Sequence, residues 1–340
     1  MLILRMFCAQ SGMKLGIVDK ANLFLLTFKK MFDIMWKNSI INMPHCGVET
    51  EIFIMKTSTE INSSARIIGE ERAVEYIAKA GFDAWDFSMF NMAQWDWKNK
   101  CLFDNGHPLR GNHYLEFARK LKQIGLDNGI VCNQSHAPFP VYIKEIYSYL
   151  KRAIECTAEA GGKICIIHPD NNKSPEENAE MYFELLPFAK DCGVKIATEN
   201  MWNWNNEKDC AASAACSDPI SFNAHLDAVD DDYFVACLDL GHAEMKGLGT
   251  TAEEMILALG DRLGALHIHD NDRWHDSHQI PFSMDIDFDK IVAALKKIEY
   301  KGYFTLEADQ YLTAFNEDNV FDGIKNLSAA ARKLADMFEK

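Results

Sequence analysis

The chain has 340 residues, 48% of them apolar, and a formal charge of −15. It can bury a large core, but it has no apolar run of the roughly 18 residues that a spanning helix needs. No cluster of Lys or Arg is longer than a pair, which argues against nucleic acid as a partner.

Residues 1–54 differ from the rest, with six Lys/Arg against four Asp/Glu and methionines at 1, 6, 13, 31, 35 and 43. The stretch ANLFLLTFKKMFDIMWKN suits one amphipathic helix but not a secretory signal, because no small-residue cleavage site follows a clean apolar core. This part is expected to be an N-terminal extension outside the core, or upstream sequence translated from an early start with Met43 or Met55 as the natural beginning; the alternative is a membrane-surface or partner helix.

From Met55 onward, β-like runs alternate with helical periods. Strands are expected at 55–61, 82–88, 130–136, 163–169, 194–200, 234–240, 263–269 and 302–308. Helices are expected at 70–81, 114–129, 142–162 and 288–302. Eight strand–helix units over 55–340 fit an α/β (β/α)8 TIM barrel better than an open sheet. No G-x-G-x-x-G follows the first strand, which counts against a dinucleotide fold. Ten cysteines include no CxxC pair, and several sit in apolar runs such as KICII and VACLDL. That usage suits reduced, buried thiols in a cytoplasmic protein.

In such a barrel the chemistry lies at the C-terminal ends of the strands. Those ends carry His136 (SHAPF), His168 (IIHPD), Glu199 (ATEN), Asp239 and His242 (LDLGH), His267 and His269 (HIHDND) and Glu307 (TLEAD). One histidine or carboxylate would mean little. Successive strands ending this way are hard to explain by packing, since uncompensated charge at a barrel mouth is costly. The donors are imidazole and carboxylate without thiolate, which suits a catalytic Mn²⁺, Co²⁺, Fe²⁺ or Zn²⁺. His267 and His269 share one side of their strand, and the second lies about 6–7 Å nearer the mouth. His269 is therefore expected to reach the site, with His267 deeper and off the metal.

ATEN, CLDLGH, LHIHDND, DSH and TLEAD, in this order, resemble the xylose isomerase-like TIM barrels. These are the sugar phosphate isomerases/epimerases that share a superfamily with endonuclease-IV-type enzymes. The resemblance implies one divalent metal, Mn²⁺, Co²⁺ or Zn²⁺, held by Glu199, Asp239, His269 and Glu307. It implies proton exchange by Glu199 and Glu307, and substrate contact by His242. The endonuclease-IV-type pattern implies further metal positions at His136, His168, His242, Asp276 and His278. Two departures stand out. The family's Pro-Gly-x-Gly turn has Phe282 and Met284 in place of its glycines, and a usual arginine is His275, with Arg273 two residues earlier.

The loops 89–111 and 201–206 are aromatic. Trp95, Trp97, Trp202 and Trp204 could stack on a sugar ring or fill a subunit interface, which leaves a homo-oligomer open. No glycine-rich cradle or basic cluster marks a phosphate site. The expected function is a metal-dependent isomerase or epimerase acting through an enediolate on a non-phosphorylated ketose, aldose or polyol-derived substrate. Arg273, Trp202, His136 and His168 join His242 as candidate substrate contacts. The alternatives are a related sugar lyase or dehydratase, a phosphodiesterase acting on abasic DNA, and a non-catalytic barrel that pairs with a partner subunit.

Overall fold

In the computed structural model, residues 54–340 are described. The expected N-terminal extension and its amphipathic helix lie outside them, apart from Ile54. Eight parallel strands form one sheet. They are β1 (Thr57–Glu60), β2 (Ala84–Ser88), β3 (Val131–His136), β4 (Ile164–Ile166), β5 (Lys195–Glu199), β6 (Phe234–Asp239), β7 (Leu263–His267) and β8 (Phe304–Leu306). Each falls within an expected run. The spatial order is β7-β6-β5-β4-β3-β2-β1-β8. The circle closes where Ile268 N–H donates to Thr305 O and Glu307 N–H to Ile268 O, both at 2.9 Å. The fold is the expected (β/α)8 barrel.

A helix follows each strand. These are α1 (Glu70–Ala80), α2 (Tyr114–Asp127), α3 (Leu150–Ala160), α4 (Pro175–Cys192), α5 (Pro219–Val229), α6 (Ala252–Leu259), α7 (Phe288–Lys297) and α8 (Val320–Glu339). Local sequence explains their ends. Ser174 and Glu177 form a capping box around Pro175 at the start of α4, and Thr251 and Glu254 do the same for α6. Gly81 ends α1 in the left-handed region, at φ 102°. α7 turns Phe288, Ile291, Val292 and Leu295 to the core, each contributing about 1.5–3 kcal/mol by burial.

The helix expected over 142–162 is interrupted. Lys144–Tyr147 forms one turn, the Tyr149 N–H returns to Ile146 O, and α3 starts at Leu150. The two pieces serve different cores. Ile143 and Ile146 pack with Ala93 and Trp95 beneath the aromatic loop, whereas Leu150, Ala153 and Ile154 pack on the barrel. The eight described cysteines are all free. Among the described residues no helix is long and apolar enough to cross a membrane.

Candidate active site

The strand ends converge on a buried group of acids and histidines. Strand register sets their levels. Asp239 stands opposite His267, and Cys237 opposite Glu199, so β6 carries Asp239 two residues beyond the level of Glu199. Glu307 lies just past β8.

Glu199, Asp239, His267 and Glu307 present donor atoms that all lie within 4.8 Å of one another. His267 Nδ1 is 2.9 Å from Glu199 Oε1 and 3.3 Å from Glu307 Oε2. A second group joins Asp239 to His242, His269 and His278. There His269 Nε2 is 3.0 Å from Asp239 Oδ1. Asp276 bridges that group, with Oδ2 3.2 Å from His242 Nε2 and Oδ1 3.1 Å from His278 Nε2. A third group is His136, His168 and Glu199, with His136 Nε2 and His168 Nε2 2.9 Å apart and His168 3.1 Å from Glu199 Oε2.

His269 reaches the site nearer the mouth, as expected, but His267 is not set apart from the carboxylates. His267 stands among Glu199, Asp239 and Glu307, while His269 meets Asp239 from the other group. Barrel strands are staggered. Counting along one strand therefore cannot give its level against its neighbours, and the pairing of His267 with Asp239 puts His269 past the sheet. There its ring stacks on His278 at 3.9 Å. Gly241 makes room for it, since a Cβ at that position would meet His269 Cε1 at 2.0 Å.

The groups polarise one another. Burial would raise the Glu199 carboxyl, but His267, His136 and His168 hold it well below the usual carboxylate range. Glu307 is raised to about 7, chiefly by burial, against the pull of His267 and His278. Burial also opposes ionisation of Asp239, yet His242 and His269 bring it to about 2. For His242 burial is outweighed by Asp239 and Asp276, which push it up to about 10. Burial and His136 hold His168 down to about 4.

Around the mouth, Trp202 stands edge-on to His242 at 6.4 Å. Trp204 stacks with His275 at 6.2 Å, so His275 faces an aromatic ring. Trp95 packs into the satellite cluster, and Trp97 is 64% exposed. Arg273 directs its guanidinium to Glu244, 3.2 Å away. Phe282 keeps the positive φ, 71°, that glycine would supply in the family's turn, and its ring packs against Phe288. Sequence reasoning missed three residues. Phe139, 43% exposed, stacks on His168 at 4.8 Å, and Phe90 meets His136 edge-on at 4.8 Å. Phe139 stood in the quoted SHAPF motif. Asp86, buried on β2, lies 3.5 Å from His267, and nothing along the chain marked it.

Fold and site define a xylose isomerase-like barrel. A family model described as "Xylose isomerase-like TIM barrel" matches residues 74–337, and the chain belongs to that family. It is 25% identical over 255 residues to the uncharacterized protein MJ1311 of Methanocaldococcus jannaschii, covering 69% of this chain and 78% of that one. Solved structures share the fold. An IolI protein with a zinc atom aligns at TM-score 0.62 and 17% identity over 84% of this chain and 99% of the other. A D-tagatose 3-epimerase-like protein aligns at 0.60 and 20% over 83% and 99%. The 3-keto-D-glucoside 4-epimerase YcjR of E. coli aligns at 0.58 and 16% over 82% and 99%.

Proposed function

We propose that this barrel is a divalent-metal-dependent sugar isomerase or epimerase. The observation that carries the reading is the convergence of Glu199, Asp239, His267 and Glu307, whose donor atoms all lie within 4.8 Å of one another. Glu199 is held ionised, while Glu307 is raised to about 7.

The donor set fits a metal. Asp239 Oδ2 is buried with no hydrogen-bond partner, a costly state that a cation relieves. Glu199, Asp239, His267 and Glu307 would hold the ion, with His269 at the edge of the site through Asp239. Imidazole and carboxylate suit Mn²⁺, Co²⁺ or Zn²⁺. When bound, the ion supplies Lewis acidity that polarises a carbonyl–hydroxyl pair and acidifies the neighbouring C–H.

The protein's own groups do the rest. One of Glu199 and Glu307 takes the proton from carbon, and the other returns one. Return to the same carbon from the other side gives an epimer, and return to the next carbon gives an aldose–ketose pair. His136 and His168 keep Glu199 ionised. Phe139 and Trp202 offer apolar faces to a sugar ring. The relatives named for sugar epimerisation support this class of substrate, a free sugar or polyol.

A second reading, a multi-metal phosphodiesterase, is favoured by one observation. Asp239, His242, His269 and His278 form a further donor group bridged by Asp276. The charge of −15 opposes it. The test is metal analysis of protein purified without chelator, with incubation in D₂O against a panel of ketoses, aldoses and inosose-like polyols. One metal per chain and deuterium at the carbon beside the carbonyl support the isomerase. Three metals, cleavage of abasic DNA and no deuterium uptake would overturn it.

A further inference from the structure

Beneath the carboxylates lies a polar layer that this chemistry does not use. Asp86 is fully buried on β2. Its Oδ2 accepts a hydrogen bond from Gln134 Nε2 at 2.9 Å and lies 3.5 Å from His267 Nε2. Gln134 Oε1 accepts in turn from Asn133 Nδ2 at 3.2 Å and Thr305 Oγ1 at 3.3 Å. Asp86 Oδ1 and His267 Nε2 are both buried without a hydrogen-bond partner.

Branched apolar side chains ordinarily fill a barrel at this depth. A buried carboxylate with half its acceptors unmet is costly, so packing does not account for Asp86. His267 does. A neutral imidazole has one donor and one acceptor nitrogen. Its Nδ1 faces Glu199 and Glu307, and its Nε2 faces Asp86. Gln134 holds the Asp86 oxygen in place, 3.5 Å from the nitrogen.

We propose that Asp86 is a positioning residue that accepts a hydrogen bond from His267 Nε2–H, fixing this tautomer and leaving the Nδ1 lone pair for a divalent cation among Glu199, Asp239 and Glu307. This rests on the metal reading above. It follows the general behaviour of carboxylates behind metal-binding imidazoles.

The test uses the full chain, stripped with chelator and titrated with Co²⁺, read by visible absorption. Zn²⁺-loaded wild type with ¹⁵N-labelled histidine is examined by NMR. Wild type should show His267 protonated at Nε2 and metallated at Nδ1. Asp86→Asn should fold to the wild-type circular dichroism spectrum and bind Co²⁺ roughly 10–100-fold more weakly. Equal affinity in the variant, or wild-type His267 metallated through Nε2, overturns the role of Asp86. If Asp86→Asn does not fold, the wild-type NMR pattern decides alone. Wild type that binds no Co²⁺ removes the metal reading and this inference together. Tight wild-type binding with an unaffected variant removes only the latter.

Discussion

Gly241→Ala should be among the most damaging single methyl additions to this protein. Gly241 lies in the short helix Leu240–Glu244 and is not among the residues with positive φ. Backbone preference alone would make alanine better there by about 0.5–1 kcal/mol. The new Cβ, however, would lie 2.0, 2.3 and 2.6 Å from three atoms of the His269 ring. That ring is fully buried, stacked on His278 and 3.0 Å from Asp239, so it cannot yield without breaking those contacts. Overpacking costs about 1–3 kcal/mol, and a lost hydrogen bond to a charged group about 1.5–3 kcal/mol. The expected net loss is therefore about 2–5 kcal/mol. Urea unfolding of chelator-treated protein, followed by circular dichroism, measures it. A double-mutant cycle assigns it. Once His269→Ala has removed the ring, adding Gly241→Ala should cost nothing or stabilise slightly. Equal cost in both backgrounds would falsify the claim that the glycine exists to seat His269.

Glu307→Gln removes a proton-exchanging carboxylate and a ligand charge, so deuterium exchange into substrate should fall by about 10²–10⁴-fold. Asp276→Asn and His278→Ala should cost much less exchange, and a loss equal to that of Glu307→Gln would favour the multi-metal reading. Glu60, buried at the end of β1, is raised to about 7, chiefly by burial and against its hydrogen bonds to Ser63. A raised carboxyl contributes stability below its unfolded value of 4.5 and loses it as pH rises through about 7. Between pH 4.5 and 8, wild type should therefore lose up to about 3 kcal/mol more than Glu60→Gln in urea unfolding. Parallel profiles would show that Glu60 is not the titrating group. A chain starting at Met55 should keep the melting temperature and metal content of the full protein, since all eight strands of the barrel lie within 55–340. A large drop in melting temperature would place residues 1–54 in the fold.

Local patterning determined the eight strands and the helices that the sequence marked. Hydrophobic period, glycine stops and strand length act over a few residues and can be read one segment at a time. The same holds for the roster of the site. ATEN, LDLGH, HIHDND and TLEAD end their strands, and a parallel barrel turns all such ends to one face. The break before α3 was not legible, because the turn at Lys144–Tyr147 packs on Ala93 and Trp95, some 50 residues earlier in the chain. Only the tertiary structure decided which histidine meets which carboxylate. His267 and His269 are equivalent in alternation, and their places follow from the stagger that pairs His267 with Asp239. Asp86 likewise takes its meaning from β7, which passes across the barrel from β2. The reason in each case is that periodicity is a property of one strand, whereas register and contact belong to the closed sheet.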